Sequence, residues 1–303
     1  MKVALCFIIS YEHELNKEEI WREWIDYNKD IINIYFHYKD YSKIKSEWIK
    51  KYVIPDKFIA KTSYYHVIPA YMSLLSYAYL CNKENKWFCI LTDSCVPIIS
   101  PSEFRSLFFE NYQRTIMSWK YAWWDVEFHK RANLRLLPKE FRLGHEPWFV
   151  IDRNNLEIVI NYQKKFFKNF KLICDGGLAN ESLFAIIFKY YKKLDWVINE
   201  TTTLTNWEKM SSPTSPYVFK NGDDEELKFI DDFFTKNNYV MFMRKVHKDF
   251  PDIILREIIY KKNKNKNTNN NYITTENVTI GILIFSLYFL YFYYKLTYFF
   301  GDY

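Results

Sequence analysis

Trp87-Phe88-Cys89-Ile90-Leu91-Thr92-Asp93-Ser94, residues 87–94, decides the fold. The run WFCILT is compact, apolar and uncharged, which reads as a strand covered on both faces. It ends abruptly in Asp93 and Ser94. In open α/β sheets ligands bind beyond the carboxyl ends of the strands. Asp93 and Ser94 therefore mark a candidate binding edge. The plainer reading is a strand-to-turn exit with Asp93 as turn former or helix cap. Taken alone, the residues favour the plainer one.

Working outward, strands and helices alternate. Val3–Ser10 is apolar and β-branched, a first strand, followed by the charged turn Tyr11-Glu12-His13-Glu14. Lys17–Tyr27 places Ile20, Trp21, Trp24 and Ile25 on one helical face. Ile31–His37 reads as a second strand, Ser42–Tyr52 as a short helix and Val53–Ile59 as a short third strand. Val67–Cys81 is a long helix, with Pro69 tolerated in its first turn. Beyond the 87–92 strand the pattern predicts helix Ser102–Asn111, an aromatic stretch and strand Trp148–Asp152. Helices Arg153–Lys164, Glu181–Tyr191 and Glu225–Lys236 follow. Such alternation argues for an α/β domain with a mainly parallel central sheet flanked by helices. No internal repeat is visible.

Composition narrows the class. The chain has 303 residues, 49% hydrophobic, with 26 Tyr and 26 Phe but only six Gly. That supports a substantial core in one large domain. The net charge of +6 is dispersed apart from one basic stretch, whereas a nucleic-acid binder shows a sharper basic face. Nucleic acid is therefore not an expected partner. Five cysteines, Cys6, Cys81, Cys89, Cys95 and Cys174, form no Cys-x-x-Cys pair. They read as reduced thiols of a cytosolic domain, not as a disulfide framework or a zinc site.

The C-terminal region differs from the rest. Asn277–Tyr294 is an uncharged run of 18 residues, resuming after Lys295 as Leu-Thr-Tyr-Phe-Phe. A helix of roughly 18 to 25 apolar residues suffices to cross a bilayer. The sequence thus predicts a domain over 1–258, a basic Asn-rich linker over 259–276 and a transmembrane helix over 277–300. A buried core helix is the competing reading, but the run has no later chain to pack against. Five Lys and Arg lie from Arg256 to Lys266 and none follows Lys295. Positive charge favours the cytoplasmic side, so the expectation is a single-pass membrane protein whose large domain faces the cytosol. The front of the chain is not a signal peptide: Val3–Ile9 is short and lacks a cleavage pattern. The triplets Asn199-Glu200-Thr201 and Asn277-Val278-Thr279 match a glycosylation pattern that arises by chance in Asn-rich chains.

A family resemblance emerges from the same strand. Phe88-Cys89-Ile90-Leu91-Thr92-Asp93-Ser94-Cys95-Val96-Pro97-Ile98 resembles the segment F-x-L-L-S-E-S-C-x-P-L. That segment belongs to the core-2/I-branching β-1,6-N-acetylglucosaminyltransferase family (glycosyltransferase family 14, with the peptide xylosyltransferases). Other pieces follow in the family's order. Lys2–Ile9 resembles its first strand, Asn33–His37 its Y-x-I-Y-I-H and Ala70–Leu75 its A-x-x-x-L-L. Leu143-Gly144 with Trp148–Arg153 resembles G-S-Q-W-F-V-L-x-R, Asn180–Phe184 resembles D-E-x-Y/L-x, and Asn206-Trp207-Glu208 a W-S/Q after a strand. Met241–Val246 resembles L-F-A-R-K-F. The set is collinear over about residues 1–250.

The resemblance implies a GT-A-like, metal-independent, inverting glycosyltransferase. Its donor would be a UDP-sugar of N-acetylglucosamine or xylose and its acceptor a glycan or protein hydroxyl. Such an enzyme needs a carboxylate to take the acceptor's proton and positive charge to stabilise the departing diphosphate. By resemblance Glu181 is the base. Expected at the start of a helix, it would be held ionised by the macrodipole; an ordinary helix-start Glu is the alternative. Lys245 matches the diphosphate-binding lysine, with Arg244 assisting and Lys220 as a second basic candidate; a solvated strand-end charge is the alternative. Asp93 and Ser94 fall at the donor. The family's Asp after the second strand is displaced: Lys39 stands at the matched position and Asp40 follows, so Asp40 is a weak candidate for the base or ribose. Trp207 aligns with an acceptor-contacting tryptophan, since indole faces stack on sugar rings. Glu146 lies where one inserted residue breaks the family's spacing, and is an acceptor candidate. Trp148 reads as core. No Asp-x-Asp occurs; Asp125-Val126-Glu127 is the nearest substitute for a metal ligand pair. Asn180 replaces the family's Asp. Together with the displaced Asp40, that leaves open a catalytically inactive sugar- or nucleotide-binding protein on the same scaffold. No Gly-x-Ser-x-Gly elbow or P-loop supports an unrelated hydrolase.

Overall fold

The computed structural model describes residues 1–9, 12–212 and 214–260. The strand that decided the reading is β3, and around it the elements run in chain order. They begin with β1 (Lys2–Ile8), α1 (Glu18–Asp26), β2 (Ile32–His37), α2 (Glu47–Lys50), α3 (Ile68–Cys81), β3 (Asn85–Thr92), β4 (Val96–Pro97) and α4 (Pro101–Asn111). There follow β5 (Trp119–Tyr121), β6 (Leu143–His145), β7 (Val150–Asp152), α5 (Arg153–Lys165), α6 (Phe167–Cys174) and α7 (Leu183–Tyr190). The last are β8 (Thr203–Thr205), α8 (Asp224–Lys236) and β9 (Phe242–Arg244). Residues 252–260 are also helical.

The central sheet has the order β2-β1-β3-β7. The pairs β1–β2 and β1–β3 are parallel; β7 closes the edge antiparallel to β3. Continuous apolar strands are what burial on both faces demands. Alternate side chains go to opposite sides. Val3, Leu5, Phe7, Trp87, Cys89 and Leu91 meet one core, with Trp21, Trp24, Phe104 and Phe108 from α1 and α4. Ala4, Cys6, Ile8, Phe88 and Ile90 meet the other, with α3, α5 and α7. The result is a mixed α/β domain with a mainly parallel central sheet between two helical layers.

Local chemistry sets the helix starts. Ser100 and Glu103 form a capping box at α4, each side chain accepting from the other's backbone N–H at 3.2 Å. Pro69 falls in the first turn of α3, where its missing N–H costs nothing. The indole N–H groups of Trp21 and Trp24 donate to the carbonyls of Cys95 (2.9 Å) and Ile99 (2.8 Å). Those bonds lock α1 onto the chain that leaves β3.

Several expectations shift. The strand predicted at 53–59 is absent. Val53 makes one bridge to Phe36, and Asp56–Phe58 is a 3-10 turn; Pro55 has no N–H for a ladder. The helix predicted over 42–52 splits, because Asp40 caps a 3-10 turn (Tyr41–Lys43) and Ser46 caps α2. Glu181 does not open a helix; it closes the 3-10 turn Ala179–Glu181, and α7 begins at Leu183. Helix α6 and the short β8 were not legible as periodic segments. Among the described residues no helix is long and apolar enough to cross a membrane. The predicted spanning helix 277–300 lies outside the described residues, as does all but the first two positions of the 259–276 linker.

Candidate active site

A second small sheet, ordered β4-β9-β8, stands beside the carboxyl end of β3. It carries residues from the end of the domain to the exit of that strand. The Val246 N–H donates to the Ser94 carbonyl at 2.9 Å, and Arg244 donates to the hydroxyl of Thr92, 152 residues away in sequence. Two adjoining cavities open there. One, of about 520 Å³, is lined by Asp93 and Ser94, by Arg244 and Lys245, by Asn180 and Glu181, and by Trp148 and Trp207. The second, of about 470 Å³, is lined by Lys120, Trp123, Arg131, His145 and Glu146. Glu181, Trp148 and Trp207 line both. Each volume suits a small-molecule substrate, for which pockets run roughly 300–1,000 Å³.

Glu181 therefore stands at the junction, and Lys245 faces the first cavity with it. Burial pushes the Glu181 carboxyl above its ordinary value, and the Arg131 guanidinium pulls it back. The pair is 3.3 Å apart. With Glu181 outside the helix, this ion pair replaces the macrodipole as the influence that favours its charged form. Sequence reading missed Arg131. It lies in an irregular stretch whose only signal is three basic residues among aromatics. The fold brings it in by a close backbone approach. Ala132 N–H donates to the Gly177 carbonyl at 2.9 Å. A Cβ on Gly176 would lie 2.2 Å from the Asn133 nitrogen, so only glycine allows that contact. Ala132 (φ 50°) and Asn133 (φ 51°) hold left-handed conformations beside it, a local cost sustained by surrounding structure.

In the same cavity, Lys245 Nζ donates to Ser215 Oγ at 2.9 Å. Burial and the neighbouring Arg244 charge lower its pKa, while Asp93 raises it. Asp93 is itself raised by burial and pulled down by Arg244. The Arg244 guanidinium lies 3.8 Å over the Trp148 ring. Trp148, expected as core, is 8% exposed yet borders both cavities.

Glu146 is a half-buried carboxyl on the second cavity. The antiparallel pair β5–β6 holds it, its N–H donating to Ser118 at 3.0 Å. Its Oε2 accepts from Thr201 Oγ at 2.5 Å. Burial pushes it up to about 7, against the Thr201 hydrogen bond and the charge of Lys120. Linkage fixes the sign of the consequence. The folded chain keeps this proton to higher pH than the unfolded chain, so stability falls as pH rises from about 4.5 through about 7. A shift of that size corresponds to a loss on the order of 3 kcal/mol. Glu146→Gln cannot ionise and should lack this loss. Wild-type melting temperature should therefore drop more between pH 5 and pH 8 than the variant's; superposable curves would contradict the burial.

Trp207 is 46% exposed at the rim, its loop pinned by Asn206 Oδ1 accepting from the Glu208 and Lys209 N–H groups. Two candidates are not brought to these cavities. Asp40 caps a turn through Ser42 and lines a separate shallow depression, whereas Lys39 reaches the first cavity. Lys220 is exposed, 3.9 Å from Asp249. Asp125 Oδ1 accepts from the Glu127 and Phe128 N–H groups, and Glu127 pairs with Arg142 at 2.8 Å. Among the described residues no cluster of three metal-ligating side chains forms.

No curated protein matches this chain. Among solved structures, the 4-diphosphocytidyl-2C-methyl-D-erythritol synthase of Anaerococcus prevotii DSM 20548 aligns over 63% of this chain and 99% of its own. It is 12% identical with a TM-score of 0.30, a likeness too slight to bear on fold or function. The pattern of the core-2/I-branching enzymes, by contrast, matches residues 5–231. That span begins in β1, takes in β3 with its Asp93-Ser94 exit and Glu181, and ends within α8. On that match the chain belongs to the core-2/I-branching enzyme family, and so to the glycosyltransferases.

Proposed function

We propose that this chain transfers a sugar, N-acetylglucosamine or xylose, from a UDP-sugar to an acceptor hydroxyl with inversion on a GT-A-like scaffold. One observation carries the reading. Glu181 borders both cavities while Arg244 and Lys245 border only the first. The donor would lie with its diphosphate against the two cations, and the acceptor would enter from the second cavity past Glu146, Trp123 and Trp207. In one step the acceptor O–H proton passes to Glu181, the acceptor oxygen bonds the anomeric carbon, and the bond from that carbon to the phosphate oxygen breaks. The electron pair leaves on UDP, beside Arg244 and Lys245. Binding both partners across one carboxylate supplies proximity as well as base catalysis. Two cations at the leaving group support turnover without a divalent metal.

The test is a UDP-sugar panel assayed for UDP release, with and without EDTA, in wild type and Glu181→Gln. We expect one donor to be turned over, unaffected by EDTA, and the variant to be nearly inactive. Strong inhibition by EDTA would shift attention to Asp125 and Glu127. The position of Asp40 outside the cavity, with Lys39 in its place, favours a second reading, a sugar- or nucleotide-binding protein without activity. Binding of UDP with no turnover of any donor would establish it. We also propose that residues 277–300 tether the domain on the cytosolic side of a membrane; protection of the domain from protease in sealed vesicles would overturn that orientation.

A further inference from the structure

We propose that Trp148 is a positioning residue that aims Arg244 at the donor's diphosphate and couples the donor cavity to the acceptor cavity. The inference rests on the donor placement proposed above. Arg244 is clamped from two sides. Its guanidinium face lies 3.8 Å over the Trp148 ring, and its Nη1 donates to the Thr92 hydroxyl. Among the described residues its buried Nε has no hydrogen-bond partner. A long side chain with both its plane and one edge fixed loses little further freedom when it binds. The fork that remains, directed into a cavity shared with Lys245, suits a phosphate oxygen.

Trp148 can act as an anvil because it is itself immobile. Its carbonyl accepts from the Thr202 hydroxyl at 3.2 Å, and the next residue, Phe149, is buried against Phe184 with ring centroids 4.7 Å apart. Trp148 also forms part of the wall of the second cavity. A ring loaded by Arg244 on the donor side thus shapes the acceptor side. A diphosphate paired with the clamped Arg244 offsets the positive charge that the guanidinium presents to that ring. Trp148 would therefore transmit donor occupancy to the acceptor cavity without a change in the backbone.

The experiment is a double-mutant cycle on UDP binding, measured by calorimetry with the full chain. Trp148→Leu keeps apolar bulk but removes the π face; Trp148→Phe keeps a smaller π face. A partly desolvated cation–π contact makes Trp148→Leu weaken UDP binding by about tenfold when Arg244 is present. In an Arg244→Ala background the same change should alter UDP affinity by less than about twofold, because the contact is already gone. Trp148→Phe should retain affinity within about threefold, a smaller π face giving a weaker contact. Equal losses from Trp148→Leu in both backgrounds would reduce Trp148 to packing, and the proposal fails. Equal losses from the Leu and Phe variants would do the same. Absence of UDP binding by the wild type would instead strike the donor placement itself. For coupling, UDP should lower the Kd of an acceptor analogue, measured without donor sugar, in wild type and not in Trp148→Leu; an unchanged effect of UDP in the variant overturns that half.

Discussion

Replacing Glu181 by Gln should lower kcat by roughly 10³-fold, the range that a positioned general base contributes, while UDP affinity stays within about twofold because the donor's phosphate contacts are untouched. The amide keeps the volume of the side chain and can still accept from Arg131, so the wall between the cavities remains. What disappears is the ability to take a proton. The pH profile supplies a second readout. As the proposed base Glu181 acts in its ionised form, and burial holds its carboxyl above the ordinary value against the pull of Arg131. Activity is therefore lost as pH falls through that raised pKa. Replacing Arg131 by Gln removes the lowering influence and should move this acid limb to higher pH, leaving the plateau above it within a few-fold. An acid limb that stays fixed in Arg131→Gln would assign the titration to another group, of which Glu146 is the nearest alternative.

Much of this architecture was legible because the central sheet is buried on both faces. The runs at 3–10, 31–37 and 87–92 are short and largely apolar, as strands covered on both faces are, and β1, β2 and β3 fall on them, with β1 starting one residue earlier and β3 two. Helix α1 was equally clear, since all four of its apolar-face residues are buried. Where the chain fails to repeat, reading failed too. The stretch from 112 to 147 forms a short two-stranded ribbon and 3-10 turns, with two left-handed residues. Neither period 2 nor period 3.6 registers there. That is why Arg131 escaped notice. Only the resemblance singles out Glu181, and the macrodipole expected to favour its charged form is not beside it: α7 begins two residues later, and an arginine from the irregular stretch pairs with the carboxylate instead. Lys220 shows the opposite failure. Its sequence neighbourhood suited a donor-binding cation, but Glu226 accepts from its backbone N–H at 2.9 Å. Its side chain remains exposed beside Asp249. Cations near the end of a strand look alike in sequence; only pairing of β9 with β4 and β8 decides which of them reaches the carboxyl edge of β3.

Lys245 is where that pairing has its largest consequence. Replacing it by Ala should lower kcat/KM by roughly 10²–10³-fold, the typical cost of removing one preorganised group that stabilises developing charge. Unlike the Glu181 change, it should also weaken UDP binding by at least tenfold, because in the proposed reaction UDP is the departing anion. Desolvation makes this ammonium effective, since a half-buried charge acts through a lower dielectric than a solvated one. The same desolvation lowers its pKa, together with the adjacent Arg244, and Asp93 opposes both. In the proposed role Lys245 acts protonated, so activity should fall as pH rises through its lowered pKa. Asp93→Asn removes the opposing charge and should bring this basic limb to lower pH. Lys245→Arg keeps a charge that does not titrate in this range. It should recover part of the rate and abolish the Lys245-dependent limb. If Lys245→Ala binds UDP as tightly as wild type, the lysine is only Ser215's partner across the loop. The negative charge leaving with the nucleotide must then be met by Arg244 alone, and the donor would have to lie closer to Trp148 and Thr92 than Lys245 allows.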